Sequence, residues 1–115
     1  MQYLLMIYND EAAMAKMTPA EMQQMSAPYM AYTEAMIKAG AFVGGDRLER
    51  SGTATTVRIR DGKTQVLDGP YADTKEQLGG YYLIEAPNLD AALSWAARCP
   101  GAATGVMEVR PIAKM

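Results

Sequence analysis

The chain has 115 residues, of which 50% are hydrophobic and 21% are charged, and its net charge is −2. This length predicts a single domain spanning residues 1–115, and the charge argues against a nucleic-acid-binding protein that relies on a basic surface. The apolar start of the chain is too short for a membrane span and lacks the pattern of a signal peptide, so we expect a cytoplasmic protein with no membrane contact.

The first half of the chain predicts a strand, a helix and a second strand. Residues 2–8 are apolar on both faces, which is typical of a strand covered on both sides. Thr18-Pro19-Ala20-Glu21 forms a capping-box start for a helix whose Met and Tyr stripe continues to Gly40. Pro28 lies inside that stripe and predicts a kink or a split helix. Strand 41–48 follows.

Asp61-Gly62 is a strong signal for a two-residue hairpin turn. It joins predicted strands 53–60 and 63–68. Val57 and Ile59 alternate with polar residues, so we expect one face of this hairpin to be solvated.

The second half repeats the strand, helix and strand order. The predicted elements are a strand at 81–86, a helix that begins after Asn88 and stops at Pro100-Gly101, and a strand at 105–110. The whole order predicts an α+β, ferredoxin-like (split βαβ) fold with an inserted β-hairpin. Two helices cover only one face of such a sheet, so a homodimer with sheets packed face to face, a dimeric α+β barrel, is expected.

The segment from Asp68 to Gly80, rich in Gly, Pro and charged residues, is the candidate site because loops beside strands commonly carry chemistry. Asp68 is the candidate catalytic residue, since a carboxylate at a strand end beside a cleft can act as a general acid or base. The alternative is that Asp68 accepts hydrogen bonds from nearby backbone N–H groups and shapes the turn.

Two charged pairs are candidates for ligand binding. Lys75 and Glu76 could hold an anionic ligand and move a proton, or they could form a solvated ion pair. Arg47, which follows Gly44-Gly45-Asp46, could grip a carboxylate with both arms of its guanidinium, or it could form a surface salt bridge.

Tyrosines complete the predicted ligand site. Tyr71 in the loop, together with Tyr8 and Tyr81, could supply hydroxyl donors to an aromatic or hydrophobic ligand. Six tyrosines could line one cavity between sheet and helix, with core filling as the alternative: Tyr3, Tyr8, Tyr29, Tyr32, Tyr81 and Tyr82. The chain has no histidine and one cysteine, and no pattern predicts a metal or a cofactor.

Five stretches of the chain carry a family resemblance: MQYLLMIYND, TATTVRIRDGKTQVLDGPY, DGPYADTKEQLGGYYLIEA, NLDAALSWAARCP and VMEVRPI. Through them the chain resembles the YCII-related (DGPF-domain) family over nearly its whole length. Tyr71 stands where phenylalanine is usual in the naming motif. The resemblance implies a ferredoxin-like, dimeric α+β barrel. Shorter relatives resemble enzymes with a histidine-aspartate pair whose histidine lies on the first helix. That pair is not carried over, because this chain has no histidine and Met22 and Met25 occupy that helix.

Two functions are predicted. The first is binding of a small organic molecule in a cleft beside the Asp68 to Gly80 loop, with cofactor-independent acid-base chemistry of lyase or isomerase type as its enzymatic extension. The alternative is a non-catalytic accessory or regulatory partner, for example of an extracytoplasmic-function sigma factor, as the family resemblance suggests. The hairpin residues Arg58, Arg60 and Lys63 are the predicted contact for such a partner.

Overall fold

The computed structural model describes residues 1–114 and shows a mixed α+β protein whose sheets are antiparallel and open. Four strands form the main sheet in the order β2-β5-β1-β6. Their bounds are Gln2–Asn9 for β1, Phe42–Arg47 for β2, Gln77–Glu85 for β5 and Val106–Pro111 for β6. A separate two-stranded sheet is formed by β3 (Thr55–Arg60) and β4 (Lys63–Asp68).

The longest helix, α2, begins where the capping box predicts it. The Thr18 side chain accepts a hydrogen bond from the Glu21 backbone N–H at 3.2 Å, and the Glu21 carboxylate accepts one from the Thr18 N–H at 3.1 Å. The helix ends before Gly40, which takes a φ of +73°. It passes through Pro28 without interruption, so the split-helix prediction is wrong. The helices are α1 (Glu11–Met14), α2 (Pro19–Lys38), α3 (Leu89–Arg98) and α4 (Gly101–Thr104).

The hydrophobic core lies between the main sheet and the two longer helices. Tyr3, Leu5 and Ile7 alternate along β1 and are buried. They pack with Ile84 of β5 and with helix residues that include Met36 of α2, of which Ile84 and Met36 are fully buried. The side chains that point to the other face of the sheet therefore receive no cover from these helices.

That second face, which we call the open face, carries a cross-strand apolar cluster. Leu4 pairs with Leu83, and Met6 pairs with Tyr81, so the four side chains share one surface. All four are only half-buried within the chain. The molecule is correspondingly flat, with dimensions of 48 × 44 × 18 Å.

The β3–β4 hairpin stands apart from the core. Its turn has positive φ at Asp61 (51°) and Gly62 (73°), as a two-residue hairpin turn requires. Val57 and Ile59 are 60% and 71% exposed, and Val66 opposite Val57 is also exposed. The solvated face of the ribbon is therefore the apolar one, whereas Thr56 and Arg58 on the other face are half-buried.

Candidate functional site

A cavity of about 770 Å³, which we call the loop cavity, lies between the hairpin, the segment 70–74 and the start of β5. Its walls combine apolar side chains such as Leu78 with polar groups from Arg50 and Ser51. Tyr8 and Tyr71, two of the predicted ligand residues, both line it. The cavity therefore lies between the DGPY segment and β1, a central strand of the sheet.

The two tyrosines of the loop cavity have different surroundings. Tyr8 is half-buried on the open face, beside Met6, whose sulfur lies 3.9 Å from the Tyr8 hydroxyl. Tyr71 is 79% exposed, and the Arg58 guanidinium carbon lies 5.5 Å from the centre of its ring. The wall at Tyr8 thus belongs to the sheet, whereas the wall at Tyr71 belongs to an exposed loop.

Glu11 and Gln77, which no sequence pattern had indicated, form hydrogen bonds that hold together the segments around the cavity. The carboxylate of Glu11 accepts a hydrogen bond at 2.8 Å from the N–H of Ser51, which opens a single 3₁₀ turn at Ser51–Thr53. The Glu11 N–H donates in turn to Gln77 Oε1 at 3.1 Å, and Gln77 Nε2 donates to the Thr74 carbonyl at 2.6 Å. The two hydrogen bonds of Glu11 join residues 40 and 66 positions apart, so no local motif could have revealed them.

Asp68 lies at the end of β4 opposite Thr55, with its side chain exposed. Its carboxylate accepts no hydrogen bond from residues 1–114, so the predicted turn-shaping role is not what holds this turn. The turn is held instead through Gly69, whose N–H donates to the Ala54 carbonyl at 2.7 Å and whose carbonyl accepts from Thr56 Oγ1 at 2.8 Å. Asp68 is near the loop cavity, but it is not among the lining residues.

Lys75 and Glu76 follow in the same loop. Lys75 is exposed and Glu76 is half-buried, and neither lines the loop cavity. Their predicted ion pair does not form in the described part of the chain. The geometry therefore separates these two residues from Tyr8 and Tyr71.

Arg47 and Tyr81 both border a different cleft, of about 240 Å³, where β2 and β5 meet α2, although pairing with Met6 puts the Tyr81 side chain on the open face. The Tyr81 hydroxyl donates to Asp46 Oδ2 at 3.1 Å, and this hydrogen bond, with the negative charge of Asp46, raises the pKa of Tyr81. Arg47 forms no ion pair within residues 1–114, so the predicted surface salt bridge is absent there.

The six tyrosines were predicted either to line one cavity or to fill the core, and they do not share one cavity because they divide between the two faces of the sheet. Tyr3 and Tyr32 are buried in the core, which agrees with the core-filling alternative for these two. Tyr8 and Tyr81 belong to the open face, whereas Tyr32 and Tyr82 meet edge to face on the helix side with ring centres 5.4 Å apart. The Tyr32 hydroxyl donates to the Trp95 carbonyl at 2.7 Å. Burial is the main reason that the pKa values of these two helix-side tyrosines are raised.

Within residues 1–114, no three acidic or cysteine side chains come together in a group that could hold a metal ion. None of the helices in this range is both long enough and apolar enough to cross a membrane.

The fold and cavities define a small α+β protein with an open sheet face and a loop-bounded pocket. The chain matches the YCII-related domain over residues 1–115 and therefore belongs to the YCII-related family. It is also 38% identical over 115 residues to the Uncharacterized protein R00369 of Rhizobium meliloti (strain 1021), a match that covers 98% of this chain and 93% of that relative.

Proposed function

We propose that this protein binds a small organic molecule in the loop cavity. The observation that carries the proposal is the cavity itself: its volume of about 770 Å³ falls in the range of about 300–1,000 Å³ that is usual for small-molecule sites. Its mostly apolar wall carries a few polar groups, including the Tyr8 and Tyr71 hydroxyls and the Arg50 guanidinium. Such a wall suits a ligand with an apolar body and one or two hydrogen-bonding groups.

A homodimer is the second part of the proposal, with the two open faces packed together in a ferredoxin-like, dimeric α+β barrel. The order β2-β5-β1-β6, with each helix connecting two strands that are not neighbours, supports the split βαβ layout. The radius of gyration is 16.1 Å, against about 13 Å for a compact chain of this size, and the thickness is only 18 Å. A second sheet would supply the missing layer.

The dimer also bears on the ligand site. Tyr8 belongs to the open face and also lines the loop cavity, so the cavity lies at the border of the surface that the partner would cover. A partner chain seated there would close the side of the cavity next to Tyr8 and exclude water from it. Ligand binding and dimer formation would then support each other.

Acid-base chemistry of lyase or isomerase type, without a cofactor, is the enzymatic form of this proposal. Asp68 would be the proton carrier, and it would reach the cavity by rotation of the backbone at Gly69, whose φ of +102° only glycine adopts readily. Asp68→Asn would abolish turnover of a bound substrate and leave its affinity within about threefold, because Asp68 lies outside the cavity wall. A variant with full turnover would exclude this role.

The binding proposal is tested with a fragment library followed by ¹H–¹⁵N NMR. We expect chemical-shift changes at Ser51, Tyr71 and Leu78, and we expect Ala54→Trp, which fills the cavity, to abolish them. Ala27→Trp, on the exposed surface of α2, is the matched control and should leave binding unchanged. Fragments that bind the Ala54→Trp variant as well as they bind the natural protein would refute the loop cavity as the site.

The exposed hairpin favours a second candidate function, that of an accessory partner of a protein such as an extracytoplasmic-function sigma factor. Arg58, Arg60 and Lys63 share one face of the ribbon and would meet an acidic surface. Reversal of all three charges to Glu should then abolish binding to a purified sigma factor, measured by calorimetry. Reversal of Arg110 on β6 is the control. Equal affinity of the triple variant and the natural protein would remove this candidate.

A further inference from the structure

We infer that the chain has a second ligand site, for a small carboxylate with an apolar body, between α1, the first half of α2 and the end of β2. We call it the methionine cavity. It has a volume of about 270 Å³. It is lined by Met14, Met22, Met25, Ser26, Tyr29, Met30 and Arg47. It shares no lining residue with the loop cavity, so the inference does not depend on the proposed function.

The first argument is the charge of the methionine cavity. Arg47 is its only charged residue, and its guanidinium has no ion-pair partner within residues 1–114. Two of the nearby carboxylates are already engaged, since Asp46 accepts from the Tyr81 hydroxyl and Glu11 accepts from Ser51. The third, Glu49, lines the adjoining cleft with Arg47 but forms no ion pair with it. An unpaired guanidinium beside an apolar wall is a natural partner for an anion.

The second argument identifies the anion. A guanidinium binds a carboxylate through two parallel N–H···O bonds, and one positive charge balances one carboxylate. A phosphate monoester carries about −1.5 to −2 charges at neutral pH and would need further donors, which the methionine wall does not provide. The only hydroxyl of the wall besides Tyr29 is that of Ser26, and it already donates to the Gln23 carbonyl at 2.7 Å. A monocarboxylate therefore fits best.

The third argument concerns the body of the ligand. Four methionines from two helices give a wall that is polarizable and can change its shape, which suits aromatic or branched apolar groups. Met22 and Met30 are 38% and 68% exposed, so apolar surface is left for a ligand to cover. The volume lies just below the usual range for small-molecule sites and limits the ligand to about the size of one ring with a short acid arm.

The experiment uses two probes of nearly equal shape, phenylacetate and its neutral amide, phenylacetamide. Each is titrated into protein labelled with ¹³C at the methionine methyl groups. We expect shifts at Met14, Met22, Met25 and Met30, with none at Met6 on the open face. The acid should bind about tenfold or more tightly than the amide, because hydrogen bonds to charged groups are the stronger ones.

Arg47→Gln should abolish the preference for the acid and leave amide binding unchanged, while Arg47→Lys should restore part of it. Arg110→Gln, on the opposite edge strand, is the matched control and should leave both affinities unchanged. Equal binding of acid and amide to the natural protein would overturn the assignment of a carboxylate. Absence of shifts at the four methionines with both probes would overturn the site itself, whereas the loop cavity would be unaffected by either result.

Discussion

The open face leads to a direct test of the proposed homodimer, in which Leu83 is replaced by Glu. Leu83 stands at the middle of the apolar cluster, opposite Leu4 on one side and opposite Gly44 on the other. It is half-buried within its own chain, so the interface would bury the remaining half. The substitution removes that apolar surface and places a carboxylate where we expect no cation to meet it.

The size of the effect follows from this geometry. Full burial of a leucine side chain contributes about 1.5–3 kcal/mol, so the half that remains for the interface contributes about 1 kcal/mol per chain. An unpaired polar group adds a penalty of at least about 1 kcal/mol per chain. Twofold symmetry doubles both effects, and the total of about 4 kcal/mol corresponds to dimerisation weakened about a thousandfold.

Sedimentation velocity across the micromolar range measures this change. The natural protein should sediment as a dimer and Leu83→Glu as a folded monomer with an unchanged circular dichroism spectrum. Leu93→Glu makes the same chemical change at a 45% exposed position of α3, away from the open face, and should remain dimeric. A natural protein that is monomeric throughout this range, or a Leu83→Glu variant that dimerises as tightly, would refute the reasoning.

Three predictions concern stability. Tyr32→Phe leaves the partly buried Trp95 carbonyl of α3 without its 2.7 Å hydrogen bond and should lower the free energy of unfolding, measured in urea, by about 1–2 kcal/mol. Tyr71→Phe at the surface should change it by less than about 0.5 kcal/mol. Gly45→Ala would place a Cβ 2.7 Å from a backbone carbonyl of β5 and should lower the stability of the protein by about 1–3 kcal/mol. Gly44→Ala is the control, because its Cβ would meet no atom within 4 Å. Thermal unfolding of the two variants measures this difference. Burial, and then the nearby thiol, raise the pKa of Tyr29 to about 12. As the pH rises, the unfolded chain therefore loses the Tyr29 proton before the folded chain does. The free energy of unfolding should fall between about pH 10 and 12 by at most about 1.4 kcal/mol per pH unit. Urea unfolding at a series of pH values should show a smaller decline for Tyr29→Phe.

Local signals in the sequence predicted the starts of the two longer helices and the tight turn correctly, whereas the short helices α1 and α4 were not predicted. Thr18 and Asn88 both accept hydrogen bonds from the first turns of their helices, and Asp61-Gly62 takes the positive φ values that its turn requires. Each of these features is decided by residues within three or four positions of one another, so a single sequence contains the necessary information.

The start of β5 was predicted less well, for a physical reason. The glycines at 79 and 80 indicated a loop up to residue 80, but β5 begins at Gln77 and includes both. Gly80 is buried, where a Cβ would lie 3.1 Å from the Asp46 carbonyl of the neighbouring strand, so glycine is needed for the close approach of two strands. That requirement depends on a partner strand more than 30 residues away.

The candidate site was predicted in part. Part of the loop segment lines a cavity, and Tyr8 and Tyr71 line the same cavity. Sequence alone could not place Arg47 and Tyr81 in a different cleft, because the face that a strand residue takes depends on pairing register. The role of Glu11 was missed, since its partner at Ser51 comes close only after the sheet has formed.

The β3–β4 ribbon is closed at its base by the hydrogen bonds of Gly69 with Ala54 and Thr56. Two strands alone are marginally stable in water, so the amide hydrogens at its tip should exchange with solvent long before those of β1 and β5. Evolution could therefore vary the length and chemistry of this arm without disturbing the core. Because one wall of the loop cavity is attached to that base, such changes would alter which molecules enter while the scaffold stayed the same.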